Sequence, residues 1–287
     1  MLTAYADESS DAKGERIFAV AGVMGTQEEW DALEIDWVRQ TGGKIFHATD
    51  CESGYGNYKG ISEEKRHREY ESLTKILART RMLGFGAIIN IKDFKASGRF
   101  DLRDAPYFEC FVSVVLRFVK LARIYIPKQQ IVKFVFDINH NVRHNASYLY
   151  EEYLVKRKQY KEYTSYMDRK MGFATSEKIG IQVADLFSHE AMKYCDNLYF
   201  AENKKYTRKS INELFNTQRF QLRYYDKNDF NKFIEKYDSL HSLNQEEYEN
   251  WLSKYRRNDN ARNRIDYIIY LEAIKNIDLS LLLDNPN

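Results

Sequence analysis

The sequence is poor in proline and cysteine, and each shortage excludes a class of protein. Only 3 of the 287 residues are proline, whereas 22 are tyrosine and 17 are phenylalanine. This composition is typical of ordered helices and strands rather than of linkers or disordered segments. Cys51, Cys110 and Cys195 are far apart and form no CxxC pair. Their spacing favours free thiols in a reducing compartment over disulfides or a zinc site.

The sequence also lacks a large net charge and a long apolar run. Lysine and arginine total 44 and aspartate and glutamate total 42, which leaves a net charge of +2. The overall charge therefore favours neither nucleic acid nor a membrane surface as a partner. No apolar stretch approaches membrane-spanning length, and the N-terminus resembles a strand rather than a signal segment. We expect a cytoplasmic protein without a membrane partner.

Hydrophobic periodicity predicts an α/β fold, a mixed sheet flanked by helices. Two apolar runs separated by turn formers predict a strand hairpin over 2–10 and 16–24, and further strands are predicted at 82–91 and 131–136. Helices are predicted at 28–39, 62–81, 105–125, 147–166 and 178–199. The segment KIFHATD at 44–50 is predicted as a short strand or turn. The two glycines in the run 82–91 indicate close backbone packing.

The sheet pattern is expected to end near residue 201. Beyond it, the segments 230–237, 245–255 and 262–283 have the pattern of polar amphipathic helices. We therefore predict an α/β domain over 1–200 and a helical C-terminal extension over 201–287. Apolar residues in the last segment offer a surface for a homo-oligomer, although packing within the chain is the preferred explanation.

Three segments that are far apart in the sequence each place an aspartate next to an apolar strand or an apolar helix face. The first strand runs into Asp7 and Glu8, the strand at 131–136 runs into Asp137, and the helix at 178–199 carries Asp185 beside its apolar face. Taken singly, each is explained as a turn, a cap or a surface acid. Together they form the oxygen donor set that Mg²⁺ and Mn²⁺ prefer. Because neighbouring side chains on a strand point to opposite faces, only one of Asp7 and Glu8 is expected to join the cluster unless the chain turns.

Three motifs resemble those of a known family. YADESS, FHATDCESGYGNYKGISEEKR and GIQVADL occur in the order found in the family called domain of unknown function 3800. That family is marked by an N-terminal DE pair and a later QxxD, which correspond here to Asp7, Glu8, Gln182 and Asp185. The resemblance covers roughly the first two hundred residues. It implies a ribonuclease H-like fold, although Ser10 stands where the family usually has glycine.

The resemblance also implies a reaction. In a ribonuclease H-like arrangement, Asp7 would end the central strand, Asp137 would end its neighbour and Asp185 would face both from a late helix. Two divalent ions bound there would position a water molecule and stabilise the leaving oxygen in phosphodiester hydrolysis. We therefore predict a Mg²⁺- or Mn²⁺-dependent phosphodiesterase, a nuclease acting on DNA or RNA. Asp7, Asp137 and Asp185 are its predicted metal ligands and Glu8 is a further catalytic residue.

Four other residues complete the predicted site. His47 is predicted to protonate a leaving group or to orient the attacking water, because histidine titrates near neutrality; a structural histidine is an equally weighted alternative. Gln182 shares a helix face with Asp185 and is predicted to orient a ligand or to contact a phosphate. Asp50 and Lys178 are predicted to bind substrate.

Two other functions are compatible with the same residues. One is a non-catalytic protein that keeps the fold and binds nucleic acid or a regulatory partner. The other is a metal-dependent hydrolase of a small phosphorylated molecule, which would use the same carboxylates. The basic clusters at 65–68, 156–161 and 204–209 are mixed with or followed by acidic residues and indicate solvated helix faces. No Gly-rich phosphate loop or dinucleotide fingerprint points to ATP or NAD.

Overall fold

The computed structural model describes residues 1–96, 105–125, 130–140, 142–155, 161–200 and 208–229. In these residues the chain forms one mixed sheet with helices on both faces. The predicted helices at 230–237, 245–255 and 262–283 lie outside the described residues. None of the described helices has the length and apolar character needed to cross a membrane.

The elements follow one another in a largely alternating order. The strands are β1 Leu2–Ser10, β2 Ile17–Thr26, β3 Leu83–Asn90, β4 Val132–Asp137, β5 Gly172–Ala174 and β6 Phe220–Tyr225. The helices are α1 Gln27–Thr41, α2 Ala48–Ser53, α3 Glu63–Arg79, α4 Ile91–Ala96, α5 Ala105–Tyr125, α6 Arg143–Tyr148, α7 Lys161–Thr164, α8 Ile179–Phe200 and α9 Lys209–Phe215. A short 3-10 helix at Gly56–Tyr58 and a π-helical segment at Leu149–Leu154 complete them.

The strand order places Asp7 of β1 beside the end of β4. The strand β1 itself continues to Ser10, so the expectation that Asp7 ends this strand is wrong. The order across the sheet is β5-β4-β1-β2-β3-β6. Only β2 runs against the others, because β1 and β3 pair with it in antiparallel fashion while the remaining pairs are parallel. Ala6 pairs with Phe136 in the register of β1 and β4. Asp7 and Asp137 are therefore neighbours at the same edge, and the predicted mixed α/β sheet flanked by helices is confirmed.

The two faces of the sheet pack against different helices. On β1, Leu2, Ala4 and Ala6 belong to the core on the side of α5, whereas Tyr5 packs against the core formed with α1, α3 and α8. Side chains alternate along a strand. Asp7 therefore lies on the α8 face of the sheet, and Glu8 lies on the α5 face.

Two glycines allow unusually close packing. A Cβ atom added to Gly180 of α8 would lie 2.3 Å from Cδ2 of Tyr5, so only glycine lets this helix lie directly on β1. A Cβ atom added to Gly84 of β3 would lie 2.1 Å from Cδ1 of Phe220 on β6. The close packing predicted for the glycines of the 82–91 run is thereby confirmed.

Two predictions of local structure are wrong. KIFHATD was expected to form a strand or turn, but its last three residues begin α2 and His47 occupies the N-cap position. The first backbone N–H of that helix is bonded by Asp185, a partner 137 positions away that no local pattern reveals. The helix predicted over 147–166 is interrupted: the chain is π-helical at Leu149–Leu154, where the Val155 N–H bonds the Tyr150 carbonyl at 2.9 Å, and α7 is a separate short helix.

The sheet does not end before residue 201. β6 pairs with β3 in parallel, and α9 supplies the buried residues Ile211 and Leu214 to the core shared with α3. The expectation that sheet structure stops near residue 201 is therefore wrong. The division into domains at 1–200 and 201–287 remains a prediction.

Candidate active site

Three aspartates approach one another beside the C-terminal end of β4: Asp7 of β1, Asp137 of β4 and Asp185 of α8. We call these three residues, with Glu8, the acidic edge. Asp7 and Asp185 are both buried. Burial raises the pKa of Asp7 well above its ordinary value, and the neighbouring charges of Asp185, Glu8 and Asp137 raise this pKa further. Charges act on a pKa in this way only when they are close and poorly screened by water. The structure thus brings together the three predicted metal ligands.

His47 stands beside two of these acids. Burial raises the pKa of Asp185, and the opposing influences are the charge of His47 and a 2.7 Å hydrogen bond from the backbone N–H of Ala48. Burial also raises the pKa of Asp137, again opposed in part by His47. The imidazole itself is half exposed, and its Nδ1 lies 3.7 Å from Oδ1 of Asp50. His47 therefore lies at the rim of the acidic cluster.

Glu8 reaches the same edge from the opposite face. Its Oε1 accepts a 2.7 Å hydrogen bond from Nδ2 of Asn139, just beyond β4. Burial raises the pKa of Glu8, the Asn139 bond opposes that rise, and the charge of Asp137 adds to it. Asp7 is thus the member of the pair that faces Asp185, while Glu8 approaches the cluster from the side of α5.

Gln182 has a clear structural contribution. Its Oε1 accepts hydrogen bonds from Nε1 of Trp37 at 3.0 Å and from the N–H of Phe46 at 3.1 Å, and its Nε2 donates to the Ser176 carbonyl at 2.7 Å. These bonds hold the segment that leads to His47 against α8. The contact with ligand or phosphate predicted for Gln182 remains a prediction.

The remaining predicted substrate-binding residues lie further out. Lys178 is exposed in the turn that precedes α8. Asp50 is on α2, where it faces His47 with a side chain that is 37% exposed. Their roles in substrate binding also remain predictions.

The carboxylate oxygens of Asp7, Asp137 and Asp185 are the ligand type that a hard cation prefers, but these side chains are not already arranged around a common point. In the described part of the chain, no group of three or more His, Cys, Asp or Glu side chains is arranged so that it could hold a metal ion. Among those same residues, no lysine or arginine forms an ion pair with Asp7, Asp137 or Asp185. Buried charges are normally paired or bound to metal. A divalent cation fits this chemistry, and binding would require it to draw the carboxylates together.

A second group of charges, which the sequence did not indicate, lies further along α8, and two of its members, His189 and Glu190, are buried. We call it the paired network, and it consists of Glu52, His189, Glu190, Lys193 and Arg208. Glu190 is fully buried, and its Oε1 forms a 2.8 Å ion pair with Nη2 of Arg208. Its carboxylate also accepts hydrogen bonds from Tyr70 at 2.7 Å and Ser210 at 2.5 Å.

Glu52 forms the other half of the paired network. Its carboxylate contacts Arg208, Nε2 of His189 at 2.9 Å and Nζ of Lys193 at 3.4 Å. Burial alone would raise the pKa of Glu52, but these partners outweigh it and hold the pKa well below its ordinary value. Because Glu52 belongs to α2, the network fixes the helix that carries His47 at its N-cap.

Tyr107 on α5 is a further residue that sequence reasoning missed. It is buried, and its hydroxyl has no hydrogen-bond partner in the part of the chain that the structure describes. Burial raises its pKa well above the ordinary value, and Glu8, Asp7 and Asp137 raise it further. In the sequence, Tyr107 is one more apolar position of a long core helix, so no local signal distinguishes it.

Comparisons with known proteins identify no family for the chain. No protein-family model matches it, and no curated protein matches it either. Among solved structures, it is similar to a chain in the PCNA:RNase HII complex from Archaeoglobus fulgidus, with 11% sequence identity and a TM-score of 0.37. The match covers 75% of this chain and 87% of that chain. A TM-score this low does not establish a shared fold, and the resemblance to domain of unknown function 3800 is not confirmed.

Proposed function

We propose that this protein is a ribonuclease H-like, divalent-cation-dependent phosphodiesterase that cleaves nucleic acid. The observation that supports it most is the convergence of mutually repelling carboxylates from β1, β4 and α8, of which those of Asp7 and Asp185 are buried. Asp7, Asp137 and Asp185 would hold Mg²⁺ or Mn²⁺, since these ions prefer carboxylate oxygen. When bound, the cation would activate water and stabilise the charge of a leaving oxygen.

The other residues of the edge have separate tasks in this proposal. His47 is half exposed beside Asp137 and Asp185, where a histidine can exchange a proton with the attacking water or with the leaving oxygen. The hydrogen bond from Ala48 to Asp185 and the bond from Phe46 to Gln182 hold His47 in place. Glu8 supports the cluster from the α5 face, and the exposed Lys178 and Asp50 contact the substrate.

The strand arrangement also supports the proposal. β1 is central, β4 is its parallel neighbour, and α8 crosses the face that carries Asp7. This is the placement of acids that the sequence resemblance implies for a ribonuclease H-like nuclease. DNA or RNA is therefore the substrate class we favour over a small phosphorylated molecule.

The proposal is tested by titrating the full-length protein with Mn²⁺ in a calorimeter, followed by incubation with labelled DNA and RNA oligonucleotides. We expect saturable binding and cation-dependent cleavage by the wild type, and loss of both in Asp7→Asn and Asp185→Asn. Asp36→Asn is the matched control, because it makes the same chemical change at a carboxylate that is 54% exposed on α1. Normal cleavage by Asp185→Asn would contradict the proposed site.

A non-catalytic nucleic-acid-binding or regulatory protein is the second candidate. It is favoured by the absence, in the described ranges, of a group of side chains already arranged for a metal ion. Electrophoretic mobility shifts of the oligonucleotides would support this candidate if Mn²⁺ neither bound nor altered the substrate. Sedimentation of the full chain would decide between a homo-oligomer formed through the C-terminal segments and the preferred explanation, packing within the chain.

A further inference from the structure

The position of the Tyr107 hydroxyl is fixed by packing of its ring. The ring is stacked on Phe111 with centroids 6.0 Å apart and meets the edge of Phe108 at 5.6 Å. Only 3% of the residue is exposed. A side chain held on several sides in this way has little freedom to seek a partner elsewhere. That the hydroxyl has no hydrogen-bond partner among the described residues is therefore a consequence of where the fold places it.

Tyr107 packs near the strands on either side of β1, which carries Glu8. Its ring lies 6.5 Å from that of Phe18 on β2, and the ring of Phe111, on which it stacks, lies 4.7 Å from that of Phe136 on β4. Glu8, Asp7 and Asp137 all act on its ionisation, with Glu8 the strongest of the three. These charges and burial keep the phenol protonated, so that it is a hydrogen-bond donor. An unpaired donor in the interior lowers the stability of a fold, and a phenylalanine would fill the same space without that cost. A buried hydroxyl that is kept despite this cost suggests that it has a function in the neighbouring site.

We propose that Tyr107 is a positioning residue of the candidate site, whose hydroxyl donates a hydrogen bond to the Glu8 carboxylate, directly or through one water molecule, when the acids gather around a cation. This inference rests on the proposed function. Glu8 and Tyr107 lie on the same face of the sheet, and Asn139 bonds Oε1, one of the two carboxylate oxygens of Glu8. Carboxylates near a metal are typically held by such hydrogen bonds, which orient them and keep them ionised.

Tyr107→Phe isolates the hydroxyl because it preserves the ring packing. Tyr225→Phe is the matched control: Tyr225 is also buried against α5, but its hydroxyl lies 2.8 Å from Oγ of Ser113. It belongs to β6, three strands from β1, a separation of about 14 Å at the usual strand spacing. Both variants would be compared with the wild type in the full-length protein by Mn²⁺ calorimetry and by thermal unfolding without metal.

The two variants are expected to behave in opposite ways. Tyr107→Phe should bind Mn²⁺ about tenfold more weakly, yet melt at the same temperature as the wild type or higher, because it removes an unpartnered donor. Tyr225→Phe should leave Mn²⁺ affinity unchanged and lower the melting temperature by about 2–4 °C. The combination of weaker binding and undiminished stability is what a purely structural role would not produce.

The remaining outcomes overturn the inference in distinguishable ways. Equal Mn²⁺ affinity of wild type and Tyr107→Phe would remove Tyr107 from the site and leave the proposed function standing. A melting temperature of Tyr107→Phe as low as that of Tyr225→Phe would show that the hydroxyl serves the fold. No Mn²⁺ binding by the wild type would overturn the proposed function and, with it, the role of Tyr107.

Discussion

Two groups of charged residues each have a buried acid on α8, and the groups differ in whether the charges of their acids are compensated. Asp185 belongs to the acidic edge, where burial and neighbouring acids raise the pKa of Asp7. Glu190, five positions later, belongs to the paired network, where the pKa of Glu52 is lowered by His189 and Arg208 despite burial. Acids of the first kind weaken a fold until a ligand neutralises them, whereas acids of the second kind help to maintain it.

Helix α2 connects the two groups. Its first N–H, from Ala48, bonds Asp185, and Glu52 near its end bonds His189 and Arg208. A six-residue helix has little stability of its own. The paired network therefore provides the rigidity with which His47 is held beside acids that repel one another.

The largest effect is expected from breaking the paired network at Arg208. Arg208→Met would leave Glu190 buried without its cation, and the cost of such an isolated charge is about 3–5 kcal/mol of unfolding free energy. Urea unfolding monitored by circular dichroism would measure it. Adding Glu190→Leu to Arg208→Met removes the isolated charge and should recover part of the loss. A loss below about 1 kcal/mol would place this pair among ordinary surface ion pairs.

A smaller loss is expected from Glu52→Gln, about 1–2 kcal/mol at pH 7, because Glu52 is partly exposed and water screens its partners. The pKa of Glu52 is lower in the folded state than in the unfolded state. Its contribution is therefore present above the unfolded pKa and is lost as the pH falls towards the folded pKa. Urea unfolding at several pH values should show the difference from wild type shrinking below about pH 4. A pH-independent difference would contradict the assigned charge interaction.

The opposite sign is expected for Asp7→Asn in the absence of metal. The variant should be more stable than the wild type by about 1 kcal/mol at neutral pH, since it relieves the repulsion among the acids. The pKa of Asp7 in the folded state lies above its ordinary value, so the wild type loses stability as the pH rises from the ordinary pKa towards the folded pKa. The gain should therefore vanish near pH 3. Chelator-treated protein in urea provides the measurement, and destabilisation by Asp7→Asn would contradict the electrostatic account.

Much of the sheet was predictable because its central strands are apolar runs bounded by turn formers or charges. β1 to β4 and the long helices α5 and α8 have such boundaries. β5 has only three residues, too few for a periodic signal. β6 lies at the edge of the sheet with four of its six residues only half buried, so its hydrophobic alternation is faint.

The aspartates of the candidate site were predictable for the same reason: Asp7 follows the apolar part of β1, Asp137 ends β4, and Asp185 borders an apolar helix face. The shared face of Gln182 and Asp185 was also predictable from helical spacing, and the structure shows that both hold the segment before α2. Arg208 and Tyr107 were not predictable. Each depends in part on a partner more than ninety positions away, Glu52 for Arg208 and Glu8 for Tyr107, and only the fold brings these partners together.

The smallest effect on stability is expected for Asp36→Asn. This variant tests whether the difference between the acidic edge and the paired network depends on the burial of their acids. Asp36 pairs with Arg39 at 2.9 Å on α1, but their side chains are 54% and 74% exposed. Exposed pairs contribute little, so its unfolding free energy should stay within about 0.5 kcal/mol of the wild type at every pH from 5 to 8. Like Asp7→Asn, it raises the formal net charge from +2 by one unit. If Asp36→Asn stabilised the protein as much as Asp7→Asn, the gain would come from overall charge, and the acidic edge would not be a locally strained site.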